Sequence, residues 1–151
     1  VDLNDQRLEK ANNLGATQTI NATRVDAVKN INANKPYEGI DVVFECVGVE
    51  KSIRDAIEIV RKGGKIIVVG VFGKDTNVQI AYVQDRELEL IGSLMYIRRD
   101  FTEAIQMLNE GEIPTGLFIS KIFPLEKAQK AFEEAFKKEQ NLKILFEVNK
   151  E

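Results

Sequence analysis

Nine residues of the chain lie where short apolar segments end, and these positions could bind a ligand. The segments are IDVVFECV, KIIVVG and ELELIGSLM. A glycine at such an end lets a ligand approach the backbone closely, and the free N–H and C=O groups can bind an amide-bearing ring. An ordinary turn is the alternative for Gly48. The nine residues are Cys46, Val47, Gly48, Val69, Gly70, Val71, Ser93, Leu94 and Met95.

Two further candidates stand at the start of the sequence. Asp2 comes just before a predicted helix, where a preceding strand would end. A carboxylate after the second strand of a dinucleotide-binding fold accepts hydrogen bonds from the adenosine ribose and repels a 2′-phosphate, which favours NAD over NADP. Arg7, a little over one helical turn later, can stack on adenine or bond to the ribose. The alternatives are an N-cap or surface carboxylate for Asp2 and a solvated arginine for Arg7.

The other reactive residues do not predict a catalytic centre. The chain has one cysteine, Cys46, and no histidine, so it lacks the usual general base and the commonest zinc ligand. Cys46 is predicted to be a small buried hydrophobe and not a nucleophile. Glu45 is predicted to reach solvent near a strand end, with a buried functional acid as the alternative. No G-x-G-x-x-G phosphate loop occurs in the sequence.

Short apolar segments alternate with amphipathic ones along the chain, which predicts an α/β fold with a Rossmann-like, doubly wound parallel sheet. In such a sheet the ligand crevice lies outside the carboxyl ends of the strands. The two segments IDVVFECV and KIIVVG are expected to be covered on both faces. The stretch from KIFPL to FEV need not belong to the same sheet. The predicted strands are Thr17–Asn21, Ile40–Val47, Lys65–Gly70, Glu87–Met95, Ser120–Phe123 and Leu142–Val148. The predicted helices are Asp5–Leu14, Val25–Ala33, Glu50–Lys62, Asp100–Asn109 and Glu126–Lys138.

The composition is ordinary for a globular protein, with 44% hydrophobic and 30% charged residues. A net charge of -3 does not favour nucleic acid or an anionic membrane as a partner. No apolar run approaches the roughly 20 residues that span a bilayer, and no export signal opens the chain. A single cysteine cannot form an internal disulfide, so we expect a cytoplasmic location. The chain begins with Val1 and not with Met, which suggests an upstream segment.

The order of the sequence blocks resembles the carboxyl-terminal half of the zinc-dependent medium-chain alcohol dehydrogenases. The polyol branch, with sorbitol, butanediol and threonine dehydrogenases, is the most similar. The resemblance extends over essentially the whole chain. The blocks that carry it are VDLNDQRLEKANNLGA, DVVFECVG, RKGGKIIVVGVFG, RELELIGSLMY, KIFPLEKAQKAFEEA and LKILFEV.

The resemblance implies a role for most of the candidate residues. Asp2 would bind the adenosine ribose of NAD, and Arg7 would support the adenine end. Residues 69–71 would line the pocket near the nicotinamide ribose, and residues 93–95 would meet the carboxamide through their backbone. Residues 1–115 would form a partial dinucleotide-binding domain, and residues 116–151 would pack with a catalytic domain.

The resemblance also implies parts that this sequence does not contain. The family's first strand, Gly-rich loop and first helix would precede Asp2, and a catalytic domain would supply the zinc ligands and the proton relay. We therefore predict the cofactor-binding part of an NAD-dependent, zinc-dependent alcohol or polyol dehydrogenase, inactive by itself, with zinc only in the whole protein. A homo-oligomer formed through the ELELIGSLM strand is expected. A non-catalytic regulatory nucleotide-binding module and a methyltransferase-like domain are the alternatives, and the KIFPLEKAQKAFEEA block argues against both.

Overall fold

The protein is described by a computed structural model that covers residues 1–137 and 141–148. The described residues form two compact units. The central unit is Thr23–Met95, and the terminal unit combines Val1–Ala22 with the described residues from Tyr96 onward. The division into residues 1–115 and 116–151 stays a prediction. Within the described part of the chain, no helix is long and apolar enough to cross a membrane.

Seven helices and five strands make up the described structure. Three of the helices and three of the strands belong to the central unit. In chain order the elements are α1 (Asp5–Asn13), α2 (Ala27–Asn34), β1 (Ile40–Glu45), α3 (Glu50–Ile59), β2 (Val60–Val68), α4 (Ile80–Asp85), β3 (Glu89–Gly92), α5 (Arg98–Asn109), α6 (Thr115–Phe118), β4 (Ile119–Pro124), α7 (Ala128–Ala135) and β5 (Lys143–Glu147).

The central unit is a three-stranded parallel sheet in the order β1-β2-β3. Helix α3 connects β1 to β2, as parallel pairing requires. Its apolar residues recur at the helical spacing and bury Ile53, Ala56 and Ile57 against the sheet, where Ile66 of β2 is fully buried. The α/β fold class with parallel strands is therefore confirmed.

The second face of this sheet differs from the prediction. Residues Val43, Ile66 and Leu90 share the face that α3 covers, because paired residues of parallel strands point to the same side. The alternate residues of β1, Val42 and Phe44, are 42% and 66% exposed. The expectation that β1 is covered on both faces is thus wrong for the described chain. Helix α3 covers one face of the strand, and the side chains on the other face are exposed.

Helix α3 also ends earlier than its sequence pattern predicts. The predicted end was the glycine pair after Lys62, but the helix stops at Ile59 and β2 starts at once. The guanidinium of Arg86 donates hydrogen bonds to the carbonyl oxygens of Ile57, at 2.5 Å, and of Val60. These carbonyls lie at a helix end, where no intrahelical donor remains, so a distant arginine fixes the boundary.

The terminal unit holds the remaining elements. The predicted strand Thr17–Asn21 is reduced to a single parallel bridge between Asp2 and Asn21. Strands β4 and β5 pair in parallel as a separate two-stranded sheet, which settles the question left open for the KIFPL to FEV stretch. The predicted helix Glu126–Lys138 is a short 3₁₀ turn followed by α7, and Lys138 lies outside the described residues.

Candidate functional site

Three predicted segments meet at one edge of the central sheet. Because β1, β2 and β3 are parallel, the residues that follow them leave the sheet at the same edge. The backbone N–H groups of Val69 and Gly70 both donate to the carbonyl oxygen of Glu45 at 2.8 Å. The N–H of Ser93 donates to the carbonyl oxygen of Val68 at 2.9 Å. The structure therefore brings residues 46–48, 69–71 and 93–95 to one place.

Glu45, the last residue of β1, is buried at this edge and is only 3% exposed. Its Oε1 accepts hydrogen bonds from the N–H groups of Val47, at 2.8 Å, and Gly48, at 2.9 Å. The hydroxyl of Ser52 in α3 donates to the same oxygen at 2.6 Å. The expectation that Glu45 reaches solvent is wrong, because the chain after β1 turns back over its carboxylate.

The surroundings of Glu45 keep its carboxylate charged. Burial raises the pKa of this group, but the hydrogen bonds from Ser52, Gly48 and Val47 outweigh burial, so the pKa lies below its ordinary value. The carboxylate also lies beside the first turn of α3, where the helix dipole favours negative charge. Its second oxygen, Oε2, is buried and has no hydrogen-bond partner among the described residues.

Two glycines allow the segments to touch. Gly48 has a φ of +76°, and a Cβ added there would lie 2.7 Å from the carbonyl carbon of Val71. A Cβ at Gly70 would lie 2.5 Å from Oε2 of Glu45 and 2.8 Å from Cα of Gly48. Real Cβ atoms essentially never approach so closely. Both glycines are therefore required by the approach of one backbone segment to another.

The outward surface of these segments is apolar. The exposed side chains include Val47, Val71, Leu94 and Met95. Cys46 is exposed as well, so its prediction as a buried hydrophobe is wrong. Such side chains can contact the faces of a planar ring, while the engaged N–H groups of residues 47, 48, 69, 70 and 93 are turned inward. The exposed side chains therefore form an apolar platform for a ligand. The engaged N–H groups point away from this platform and are not available to the ligand.

Met95 has an unusual backbone conformation. Its φ is +62°, in the left-handed region that a residue with a side chain rarely adopts. Holding a non-glycine residue there costs about 1–2 kcal/mol. Its side chain is 77% exposed, so burial of the side chain does not compensate for this conformation. Strain of this kind is concentrated at ligand-binding positions in proteins, which fits the predicted place of Met95 beside a carboxamide.

Asp2 and Arg7 lie in the terminal unit. Oδ1 of Asp2 accepts hydrogen bonds from the N–H groups of Leu3, at 2.7 Å, and Asn4, at 2.9 Å. The N-cap of α1 is Asn4, which accepts from the N–H of Arg7, so the N-cap alternative for Asp2 is wrong. Nη1 of Arg7 lies 3.9 Å from Oδ2 of Asp2. This partly exposed ion pair contributes at most about 1 kcal/mol to stability.

The residues present do not fit a zinc ion. The chain has no histidine, and its one cysteine is Cys46. Within residues 1–137 and 141–148, no group of three or more His, Cys, Asp or Glu side chains could hold a metal ion. Protein zinc sites take three or four such ligands, so no zinc chemistry can be assigned to the residues described.

An open cavity in the terminal unit contains none of the predicted site residues. Its volume is about 430 Å³, and Lys10 and Lys121 contribute to its wall. Lys121 is paired with Glu134, and hydrogen bonds from Lys121 and Lys137 lower the pKa of Glu134 to about 2. One of the two lysines in the wall is therefore already neutralised by a carboxylate, and the cavity is not included in the candidate site.

Sequence analysis missed the part that Glu45 and Ser52 play in this site. A signal is present in ECVGVEKS, where an acid ends a strand, a glycine follows after two residues, and a serine comes in the first turn of the next helix. A carboxylate in that place can accept from the amides of the turn and from the hydroxyl. The contact with Gly70 has no comparable signal, because it depends on the pairing of β1 with β2.

Comparison with known proteins identifies the family. The family model described as "Zinc-binding dehydrogenase" matches residues 1–110. The chain is 32% identical over 140 residues to a D-xylulose reductase of Saccharomyces cerevisiae, covering 89% of this chain and 39% of that protein. It is 30% identical over 152 residues to a sorbitol dehydrogenase of Bacillus subtilis, covering 99% of this chain and 43% of that protein.

A solved structure agrees with these sequence matches. The alcohol dehydrogenase from Thermus sp. ATN1 superposes with a TM-score of 0.85 at 29% identity, over 96% of this chain and 42% of that one. The chain thus spans about two fifths of the length of the relatives it matches. The resemblance to zinc-dependent medium-chain alcohol and polyol dehydrogenases is confirmed, and the chain belongs to the zinc-binding dehydrogenase family.

Proposed function

We propose that the chain is the NAD-binding part of a zinc-dependent alcohol or polyol dehydrogenase. The observation that carries the proposal is the meeting of three strand-end segments at one edge of a parallel sheet, where ligands bind in open α/β folds. The family match supports the same conclusion. The names of the relatives refer to D-xylulose, sorbitol and alcohols as substrates. The substrate class proposed for this protein is therefore a small alcohol or polyol.

The nicotinamide end of NAD is assigned to the central unit. Residues 69–71 line the nicotinamide ribose, and the exposed apolar side chains of residues 46–48 and 69–71 lie along the ring. The backbone of Leu94 and Met95 meets the carboxamide. The N–H of Ser93 is engaged with Val68, so that group is excluded from the carboxamide contact.

The adenosine end is assigned to Asp2 and Arg7. The carboxylate of Asp2 accepts hydrogen bonds from the ribose hydroxyls and repels a 2′-phosphate, so the protein prefers NAD to NADP. Oδ1 already accepts from two backbone N–H groups, which fixes the carboxylate and leaves Oδ2 toward Arg7. Arg7 then supports the adenine.

The catalytic zinc of the whole protein is assigned to residues outside this chain, because the chain has no histidine and its described residues offer no ligand set for zinc. Zinc supplies Lewis-acid polarisation of the alcohol oxygen in this kind of chemistry. Residues 116–151 pack with the catalytic domain, and the single exposed thiol of Cys46 fits a cytoplasmic location. No observation on the described residues favours a regulatory module, and the family match argues against a methyltransferase-like domain.

Nuclear magnetic resonance titration of the ¹⁵N-labelled chain tests this function. NAD is expected to bind weakly, with a dissociation constant in the millimolar range, about 4 kcal/mol of binding free energy. NAD and ADP-ribose should both shift the amide signals near Asp2 and those of residues 69–71, because both ligands carry the two ribose groups. Only NAD should shift the signals of residues 46–48 and 93–95, which are assigned to the ring and its carboxamide. Shifts from neither nucleotide, or NAD shifts that avoid the strand ends, would contradict the proposal.

A further inference from the structure

We infer that Glu45 is a positioning residue that holds two cofactor-binding segments in one fixed arrangement, so that the nicotinamide end of NAD meets a preformed surface. The inference rests on the proposed function of these segments. It goes beyond that function because Glu45 itself faces inward and touches no ligand. At 3% exposure, its carboxylate acts only through the backbone N–H groups and the Ser52 hydroxyl that it binds.

One residue, Glu45, holds both segments. The side chain of Glu45 accepts from the N–H groups of Val47 and Gly48, which belong to the segment after β1. Its backbone carbonyl oxygen accepts from the N–H groups of Val69 and Gly70, which belong to the segment after β2. Four inward-facing amides of the two segments therefore end on a single residue.

The close spacing between the two segments leaves no room for the Glu45 side chain or the glycines to shift. Oε2 of Glu45 lies against Gly70, and Gly48 lies against both Gly70 and Val71, as the distances from the added Cβ atoms show. Moving the carboxylate outward would remove the acceptor of the N–H groups of Val47 and Gly48, and the N–H of Gly48 is buried. A buried donor without an acceptor costs about 1–3 kcal/mol. Because Oε2 has no partner of its own among the described residues, its place is set by the three donors on Oε1 and by this packing.

The rigidity of the two segments favours binding of the cofactor. With the inward amides held, the side chains of Val47 and Val71 stay on the exposed side of the platform. A surface that is ordered before binding does not lose conformational entropy when the ligand binds, so it gains affinity without a new contact. Only the nicotinamide end gains in this way, because the adenosine end is assigned to Asp2 in the terminal unit.

The test compares two ligands that differ in the nicotinamide group. The measured quantity is a ratio, the dissociation constant of ADP-ribose divided by that of NAD. Both constants are measured on the whole 151-residue chain by nuclear magnetic resonance titration. Glu45→Leu replaces the carboxylate with an apolar side chain of similar size that accepts no hydrogen bond, and Glu45→Gln keeps one carbonyl acceptor. Ser52→Ala removes one donor to Oε1 and leaves the two segments unchanged, which serves if Glu45→Leu does not fold. Ile57→Val is the control, because it lowers stability in the same core by about 0.5–1.5 kcal/mol away from both segments.

The expected ratio exceeds one in the wild-type chain. Glu45→Leu should lower it at least about fivefold, which corresponds to about 1 kcal/mol, and Glu45→Gln should recover part of the loss. Ser52→Ala should lower it about twofold, and Ile57→Val should leave it unchanged. A ratio that is unchanged in both Ser52→Ala and Glu45→Gln overturns the inference. A ratio that falls as much in Ile57→Val as in Glu45→Leu overturns it too. If the wild-type chain binds neither ligand, the proposed function has failed and the inference falls with it.

Discussion

Replacing Gly70 by alanine tests the close approach of the strand-end segments. The backbone of Gly70 does not have the positive φ that would disfavour alanine, so the substitution adds only a methyl group. That group would lie 2.5 Å from Oε2 of Glu45, about 0.9 Å short of the 3.4 Å at which ordinary contact begins. The carboxylate cannot swing away, because three hydrogen bonds hold it. Overpacking of this kind lowers the free energy of unfolding by about 1–3 kcal/mol.

Urea unfolding followed by circular dichroism measures this loss, since the chain has no tryptophan to report by fluorescence. Gly73→Ala is the matched control, because nothing lies within 4 Å of a Cβ at Gly73 and its φ is also outside the positive region. That variant should be neutral or more stable by up to about 1 kcal/mol, through the entropy of the unfolded chain. Equal stabilities of Gly70→Ala and Gly73→Ala would refute the packing described for Glu45, Gly48 and Gly70.

Four other outcomes are expected. Asp2→Asn keeps the acceptor for its two backbone donors but removes the charge, so the preference for NAD over NADP in titrations should fall about tenfold, whereas the control Asp5→Asn should keep it. The lowered pKa of Glu45 contributes stability that is present above its ordinary value of 4.5 and is lost as the pH falls through the folded-state pKa. Glu45→Gln should therefore flatten the fall in the free energy of unfolding at acid pH; a slope equal to that of wild type would contradict this. Mixed with NAD, zinc and sorbitol but with no other protein, the chain should form no NADH. Formation of NADH above the protein-free rate would disprove this. The exposed edge strand β3 should pair with the same strand of a second copy of the chain. Light scattering should therefore give more than one chain per particle for the wild type and a monomer for Ile91→Lys. A monomeric wild type would disprove this pairing.

Most of the order of helices and strands could be predicted from the sequence, because periodicity is a local property. The short helices α4 and α6 have no predicted counterpart, since four to six residues carry too little periodicity. The apolar spacing of α3 and the run IDVVFECV place each element to within a few residues. The end of α3 could not be placed, because it depends on Arg86, which follows it by 27 residues and binds its last carbonyls. The burial of β1 was overestimated for a related reason: an apolar run indicates which residues can be covered, but covering each face needs a separate element.

The positions of the candidate site could be predicted from the sequence, but the burial of Glu45 could not. The positions after β1, β2 and β3 could be selected from the sequence, since parallel strands bring their carboxyl ends to one edge. The local pattern also contains the two amides and the hydroxyl that bind Glu45, yet a solvent-facing acid is the usual outcome for such a residue. The difference is made by Gly70, which stands 25 residues later and presents no side chain, so the backbone after β2 can close over the carboxylate. A larger residue at position 70 would push that backbone away and open the carboxylate to water. The buried state of Glu45 is therefore encoded jointly by the acid and by a distant glycine, and neither residue predicts it alone.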